Sequence, residues 1–184
     1  EFGISSVVQP ALVEAFASDI STMVWFSVIY MVTSTGLMYT GGWLGDTLGR
    51  RRVYLSGVVV STIGMGLVSV SQDLVQLFAC RVLQGIGLAL LFSNGTALIT
   101  AAFPKREMGR AIGFLSVIIG LGFGVGPFLG GLLLEHLDWR AAYWTRIPMG
   151  VVGVVLAIKF IREQRVSHSG PVSIDYRGII LLYA

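Results

Sequence analysis

The chain has 184 residues, of which 54% are hydrophobic and only 12% are charged. Soluble domains typically carry about 25% charged residues, so this composition excludes an ordinary water-soluble domain and predicts an integral membrane protein. The net charge of +3 does not indicate nucleic-acid binding, because no basic face alternating with aromatic residues lies outside the apolar runs.

Apolar runs that reach or approach the roughly 20 residues needed to cross a bilayer follow one another along the chain. A first run, residues 1–16, is expected to be the second half of a spanning helix, and five more cover residues 24–42, 53–70, 74–100, 111–134 and 141–161. A spanning segment must satisfy its own backbone hydrogen bonds, so each run is predicted to be a helix. The expected fold is an all-α transmembrane six-helix bundle over residues 1–165.

The two ends of the sequence are expected to be cut from a longer chain. The polar stretch 166–175, "VSHSGPVSID", is predicted to be a cytoplasmic connector, and residues 176–184 are predicted to start a seventh helix. Glu1 and Phe2 are either native or a cloning remnant. The single cysteine, Cys80, excludes a disulfide within the chain.

Charged residues in the connections predict the topology. The segments after the second, fourth and sixth runs carry nine cations: Arg50, Arg51, Arg52, Lys105, Arg106, Arg110, Lys159, Arg162 and Arg165. The intervening connections carry acidic residues such as Glu14, Asp73 and Glu135, with Arg140 as their cation. By the positive-inside rule the first group of connections is cytoplasmic.

The fifth run contains the stretch "GLGFGVGPFLGG", and its glycines recur at helical spacing. Small residues four positions apart let helix backbones approach closely in lipid, and Pro127 removes one helical hydrogen bond. The pattern therefore predicts tight packing with a hinge or kink. The spacing Gly113, Gly122, Gly126, Pro127, Gly130 and Gly131 closely resembles the antiporter motif in the fifth helix of major facilitator superfamily drug:proton antiporters.

Two further stretches resemble motifs of the same superfamily. "GGWLGDTLGRRR" is similar to its loop motif between helices two and three, and "LFACRVLQGIG" to its fourth-helix motif. In the loop motif, Gly42 is expected to permit close approach and Gly49 a tight turn, while Asp46 with Arg50 and Arg51 can form an ion-pair latch. The resemblance implies that the Asp46 cluster contacts the missing carboxy-terminal half of the chain, although Thr47 replaces a basic residue.

Arg81 is the most informative single residue. An arginine near the centre of a spanning helix costs about 2.5–3.5 kcal/mol on insertion scales, so such residues usually face a bundle interior or a watery pathway. Gln84 lies three residues later on the same face. The alternative is that Arg81 extends outward to the membrane surface. The resemblance implies proton coupling by Arg81, with Glu1 at the position of an acidic membrane-embedded residue.

Tyr30, Asn94 and Gln84 are polar positions within spans that are expected to line a substrate cavity, and Arg146 either tunes substrate charge there or reaches the interface. Trp25, Trp139, Tyr143 and Trp144 are expected mostly to form an aromatic belt at the outer boundary. His136 and His168 are isolated in connections, so no metal site or cofactor is expected.

The resemblance implies an amino-terminal half of a transporter similar to the fourteen-helix drug:proton antiporters, in the cell membrane. Its expected partners are a small-molecule substrate, protons and membrane lipids, and its mechanism is alternating access. A metabolite exporter or proton symporter of the same superfamily and a non-transporting sensor of the same fold remain alternatives. An enzyme is not expected, because no nucleophile, carboxylate pair or metal cluster is visible.

Overall fold

The computed structural model describes residues 2–161, and that part of the chain forms eight α-helices without a β-strand. They are α1 (Phe2–Ala15), α2 (Ile20–Gly36), α3 (Met38–Leu48), α4 (Arg50–Val70), α5 (Leu74–Ala102), α6 (Met108–His136), α7 (Trp139–Trp144) and α8 (Arg146–Phe160). The predicted all-α transmembrane fold is confirmed.

Four helical stretches are long and apolar enough to cross a membrane: α4, α5, α6 and the combined length of α7 and α8. The second predicted span is a bent pair, because α2 and α3 meet at 43°. Hydroxyl groups loosen the helix just before this bend, where Ser34 and Thr35 each donate a hydrogen bond to the Met31 carbonyl, at 2.9 and 2.8 Å. Such bonds compete with the backbone ladder and often bend helices.

Short polar residues define the helix ends. The Asp73 carboxylate accepts a hydrogen bond from the backbone N–H of Gln76 at 2.8 Å and caps α5. Asp19 caps α2 in the same way, and the hydrogen bond from the Thr22 hydroxyl lowers the pKa of the Asp19 carboxyl. Gly49, between α3 and α4, has a φ of 99°, so the predicted tight turn is present at the glycine that permits it.

Glycines bring α4 and α5 into backbone contact. A Cβ atom added at Gly57 would lie 2.7 Å from the Leu91 nitrogen, and one at Gly64 would lie 3.0 Å from the Gln84 Cα. One at Gly87 would overlap the Ser61 backbone. This seam fixes α5, which carries Arg81 and Gln84, against its neighbour.

A buried apolar cluster lies where α1, α2, α4, α5 and α7 meet. It includes Leu12, Phe26, Leu77, Trp139 and Tyr143. Trp139 is 2% exposed and Tyr143 is fully buried, so their assignment to an aromatic belt is wrong. The short helix α7 directs both rings into the bundle, whereas Trp25 and Trp144 are more than half exposed.

Candidate functional site

Arg81 is completely buried in the interior of the bundle. One terminal nitrogen of its guanidinium donates to the Gln84 Oε1 at 2.7 Å. The other donates to the Ser5 hydroxyl at 3.0 Å and to the Tyr143 hydroxyl at 3.2 Å. Helices α1, α5 and α7 are thereby joined through one side chain. Arg81 faces the bundle interior, and the alternative that it extends to the membrane surface is wrong.

Aromatic rings surround the same guanidinium. Its central carbon lies 3.6 Å from the centroid of the Phe26 ring, 5.2 Å from that of Tyr30 and 5.6 Å from that of Tyr143. We call these three residues the aromatic cage. The negative faces of aromatic rings attract a cation, and a desolvated contact of this kind contributes about 2 kcal/mol. The cage and the hydrogen bonds together offset part of the cost of burying the charge.

The Tyr30 side of the cage borders a cavity of about 210 Å³. The cavity lies between α1, α2, α5 and α6, and its lining also includes Gly3, Leu88 and Gly122. Tyr30 therefore lines a cavity, and its contact with a substrate stays a prediction. At about 210 Å³ this space is smaller than the roughly 300–1,000 Å³ typical of small-molecule pockets, so it has room for part of a solute, and its apolar lining suits a lipophilic group.

Gln84 does not line this cavity, contrary to expectation. Its side chain is fully buried under Arg81 and against Gly64. The Gln84 Oε1 accepts from Arg81, and its Nε2 has no hydrogen-bond partner among the residues that the structure describes. Gln84 orients the arginine, and the cavity assignment is corrected.

Asn94 is also placed between helices and not at a cavity. Its Nδ2 donates to the carbonyl oxygens of Gly41 and Leu90, each at 2.9 Å. The Asn94 side chain occupies the space that a side chain at Gly45 would need. The close approach of α3 to α5 therefore occurs at Gly41 and Gly45. Within residues 2–161 nothing lies within 4 Å of a Cβ added at Gly42, so the expected close approach does not occur at Gly42 in this part of the chain.

Arg146, the fourth predicted cavity residue, is half-buried at the start of α8. The central carbon of its guanidinium lies 5.9 Å from the centroid of the Tyr143 ring. Arg146 thus approaches the aromatic cage from the side of Tyr143, and a role in substrate charge remains a prediction.

The loop motif forms local contacts at the end of α3. The Arg50 Nε donates to the Asp46 carboxylate at 3.0 Å, one helical turn away along the chain. Arg51 instead donates to the Ile158 carbonyl at 2.8 Å and satisfies an acceptor in the last turn of α8. The Thr47 hydroxyl bonds within its own helix, to the carbonyls of Trp43 and Leu44.

The glycine-rich face of α6 packs only in part. Gly126 and Gly130 contact α1, where a Cβ added at either would lie 3.5 Å from Gly3 or Ile4. The Pro127 ring packs on Gly3, and α6 continues through Pro127 as one helix. A Cβ added at Gly113, Gly122 or Gly131 would meet no atom within 4 Å. The expectation of close packing along the whole motif is therefore wrong for these three glycines within residues 2–161.

Glu1, the connector 166–175 and residues 176–184 lie outside the described residues. The sequence reasoning missed Ser5, Phe26 and Tyr143 as partners of Arg81. Their spacing along the chain carries no signal of this contact, because each comes from a different helix.

Comparison with known proteins gives one family. The family model described as Major Facilitator Superfamily matches residues 1–177. Over 97% of this chain, the sequence is 34% identical to the riboflavin transporter RibZ of Clostridioides difficile and 28% identical to the tetracenomycin C resistance and export protein of Streptomyces glaucescens. It is 28% identical over 89% of its length to the multidrug transporter protein MdtP of Bacillus subtilis. The matches cover 39%, 33% and 30% of those relatives, so the chain spans about a third of their length.

Proposed function

The chain belongs to the Major Facilitator Superfamily, and we propose that it forms the amino-terminal half of a transporter that exports lipophilic small molecules in exchange for protons. The protein is an integral membrane protein built from helices. Residues 1–165 form this half, 166–175 connect it to the remainder, and 176–184 start the seventh span. Alternating access then places the substrate between the two halves, near the membrane midplane.

The observation that carries the proposal is the burial of Arg81 within the aromatic cage, next to the cavity that Tyr30 lines. The largely apolar lining of the cavity favours solutes with aromatic or lipophilic surface over strongly polar ones. The fixed positive charge of Arg81 lowers the pKa of any carboxylate that approaches it. We assign Arg81 to proton coupling on this basis, with Glu1 as the carboxylate that exchanges the proton.

The names of the relatives support export of drug-like compounds, and one of them supports a second candidate substrate class. Two of them are an export protein and a multidrug transporter, which favours efflux of lipophilic compounds. The relative named as a riboflavin transporter favours transport of a planar metabolite as the alternative substrate class. Measured flux distinguishes either transporter from a sensor that binds a solute without moving it.

The test is movement of ethidium driven by a pH gradient in everted vesicles that contain the full-length protein. Arg81→Ala is expected to abolish coupled movement while reducing substrate binding less, because a fixed charge near the cavity is lost. Arg81→Lys keeps the charge but not the planar donors, so it is expected to retain part of the activity. Proton entry supplies a driving force of about 2.3 kcal/mol per proton for each 100 mV of membrane potential.

Arg140→Ala is the matched control, since Arg140 is a half-exposed cation in the first turn of α7 that pairs with Asp138 in the preceding connection. It is expected to transport like the unmodified protein. Expression of each variant is measured in the same membranes. Normal coupled transport by Arg81→Ala contradicts the proton-coupling assignment, and the same assay with riboflavin tests the second candidate.

A further inference from the structure

A second, larger apolar space lies beyond the small cavity. It is a groove of about 750 Å³ between α4, α5, α6 and α8. Phe103 just after α5, Ile112 on α6 and Phe160 on α8 line one end, while Phe92 and Ile119 are shared with the small cavity. Its volume is within the range of roughly 300–1,000 Å³ typical of small-molecule pockets.

The wall of this groove offers few polar groups. Thr96 is one of them, and its hydroxyl already donates a hydrogen bond to the Phe92 carbonyl at 3.3 Å. Helices α5 and α6 contact each other at few positions, which leaves the groove open between them. Tyr54 is the other residue of the wall with a side-chain hydroxyl, so the wall favours an occupant that is apolar along most of its length.

Cations surround the end of the groove that Phe103, Ile112 and Phe160 line. Lys105 and Arg106 lie in the connection that follows Phe103, Arg110 lies in the first turn of α6, and all three are exposed. Lys159, also exposed, precedes Phe160. The same cations predict that this end lies at the cytoplasmic surface of the membrane, whose leaflet contains anionic lipids.

We propose that the groove binds one acyl chain of an anionic phospholipid from the cytoplasmic leaflet. The chain lies along the apolar wall, and the phosphate of the headgroup contacts Lys105, Arg106 and Arg110. Charge complementarity selects the lipid: over residues 103–110 the sequence has one acidic residue, Glu107, against the three cations. Basic pockets between helices on the cytoplasmic side are suited to anionic headgroups.

The experiment measures contact between the groove and brominated lipid in the full-length protein. Thr96→Cys is labelled with bimane after Cys80 and any other cysteine have been replaced. The protein is reconstituted in phosphatidylcholine with rising fractions of dibrominated phosphatidylglycerol. We expect quenching to saturate at a low fraction, because a site fills before the bulk lipid does. A bimane at Val155, exposed on α8, is the matched control and is expected to follow the bulk fraction.

The cations are tested with Lys105→Ala, Arg106→Ala and Arg110→Ala combined. Each charge near an anionic surface contributes about a fivefold change in affinity, so saturation is expected to move to a much higher lipid fraction. Arg140→Ala, on the opposite side of the bundle, is expected to change nothing. Equal saturation by dibrominated phosphatidylcholine overturns the anionic selectivity, and lack of saturation by either lipid overturns the site. Displacement of the brominated lipid by ethidium also overturns the proposal, because the groove is then a substrate site.

Discussion

At the scale of single residues, the guanidinium of Arg81 is held by hydrogen-bond acceptors on other helices. The contribution of the Tyr143 hydroxyl to this arrangement can be measured separately from that of its ring. Tyr143→Phe keeps the ring that packs against Phe26 and the guanidinium but removes the hydroxyl 3.2 Å from Arg81. Hydrogen bonds to charged groups contribute about 1.5–3 kcal/mol. We expect normal insertion, reduced transport and a pH profile shifted to lower pH, because a less restrained guanidinium interacts more strongly with the coupling carboxylate.

The measurement is substrate exchange in vesicles at a series of pH values. Tyr39→Phe removes a hydroxyl from a half-exposed position on α3 and is the control. A profile for Tyr143→Phe that differs only in amplitude would show that Tyr143 contributes packing alone.

Two glycines of α3, Gly42 and Gly45, give a second prediction at the scale of single residues. Gly45→Ala places a methyl group on the Asn94 side chain, whereas Gly42→Ala meets nothing within 4 Å. Overpacking typically costs 1–3 kcal/mol, while alanine is a better helix former than glycine by about 1 kcal/mol. We expect the melting temperature of the purified full-length protein to fall for Gly45→Ala and to stay equal or rise for Gly42→Ala. The reverse order would contradict the observed contact of α3 with α5.

At the scale of helices, the apolar runs predict the elements well and their contacts poorly. Each predicted span has a helical counterpart, because length and hydropathy are properties of the run itself. Which face of a helix meets a neighbour depends on the other helices, and in a span both faces are apolar. Asn94 and Gln84 were thus expected at a cavity and lie between helices, and Trp139 was expected at the surface and is buried.

The contact of α6 with α1 gives the prediction for this scale. Gly126 lies against Gly3, with the position of an added Cβ only 3.5 Å from the Gly3 Cα, so the branched side chain of Gly126→Leu must push the two helices apart. Leucine favours membrane insertion, so the amount of protein in the membrane is expected to stay similar while transport falls at least tenfold. Gly124→Leu is the matched control, because none of the residues that the structure describes lies within 4 Å of a Cβ added there. Normal transport by Gly126→Leu would show that this contact is dispensable.

At the scale of the whole molecule, the alternation of the helices places the charged connections on two opposite faces. The start of α4, the α5–α6 connection and the end of α8 form the face that is rich in cations, and Arg51 joins two of these ends through the Ile158 carbonyl. The connections before α2, before α5 and before α7 form the other face, where Asp19, Asp73 and Asp138 cap helices. The positive-inside rule predicts that the first face is cytoplasmic.

Cysteine labelling tests this orientation in the full-length protein. Arg106→Cys and His136→Cys are made separately in a background without Cys80, since a buried or reactive native thiol would obscure the result. A membrane-impermeant maleimide added to intact cells is expected to label position 136 and to reach position 106 only after the membrane is permeabilised. Both positions are exposed and lie in or next to connections, so a missing signal would not come from burial. Labelling of position 106 but not 136 in intact cells would reverse the topology. It would also move the mouth of the apolar groove to the outer leaflet, because α5 and α6 hold that mouth next to Lys105 and Arg106.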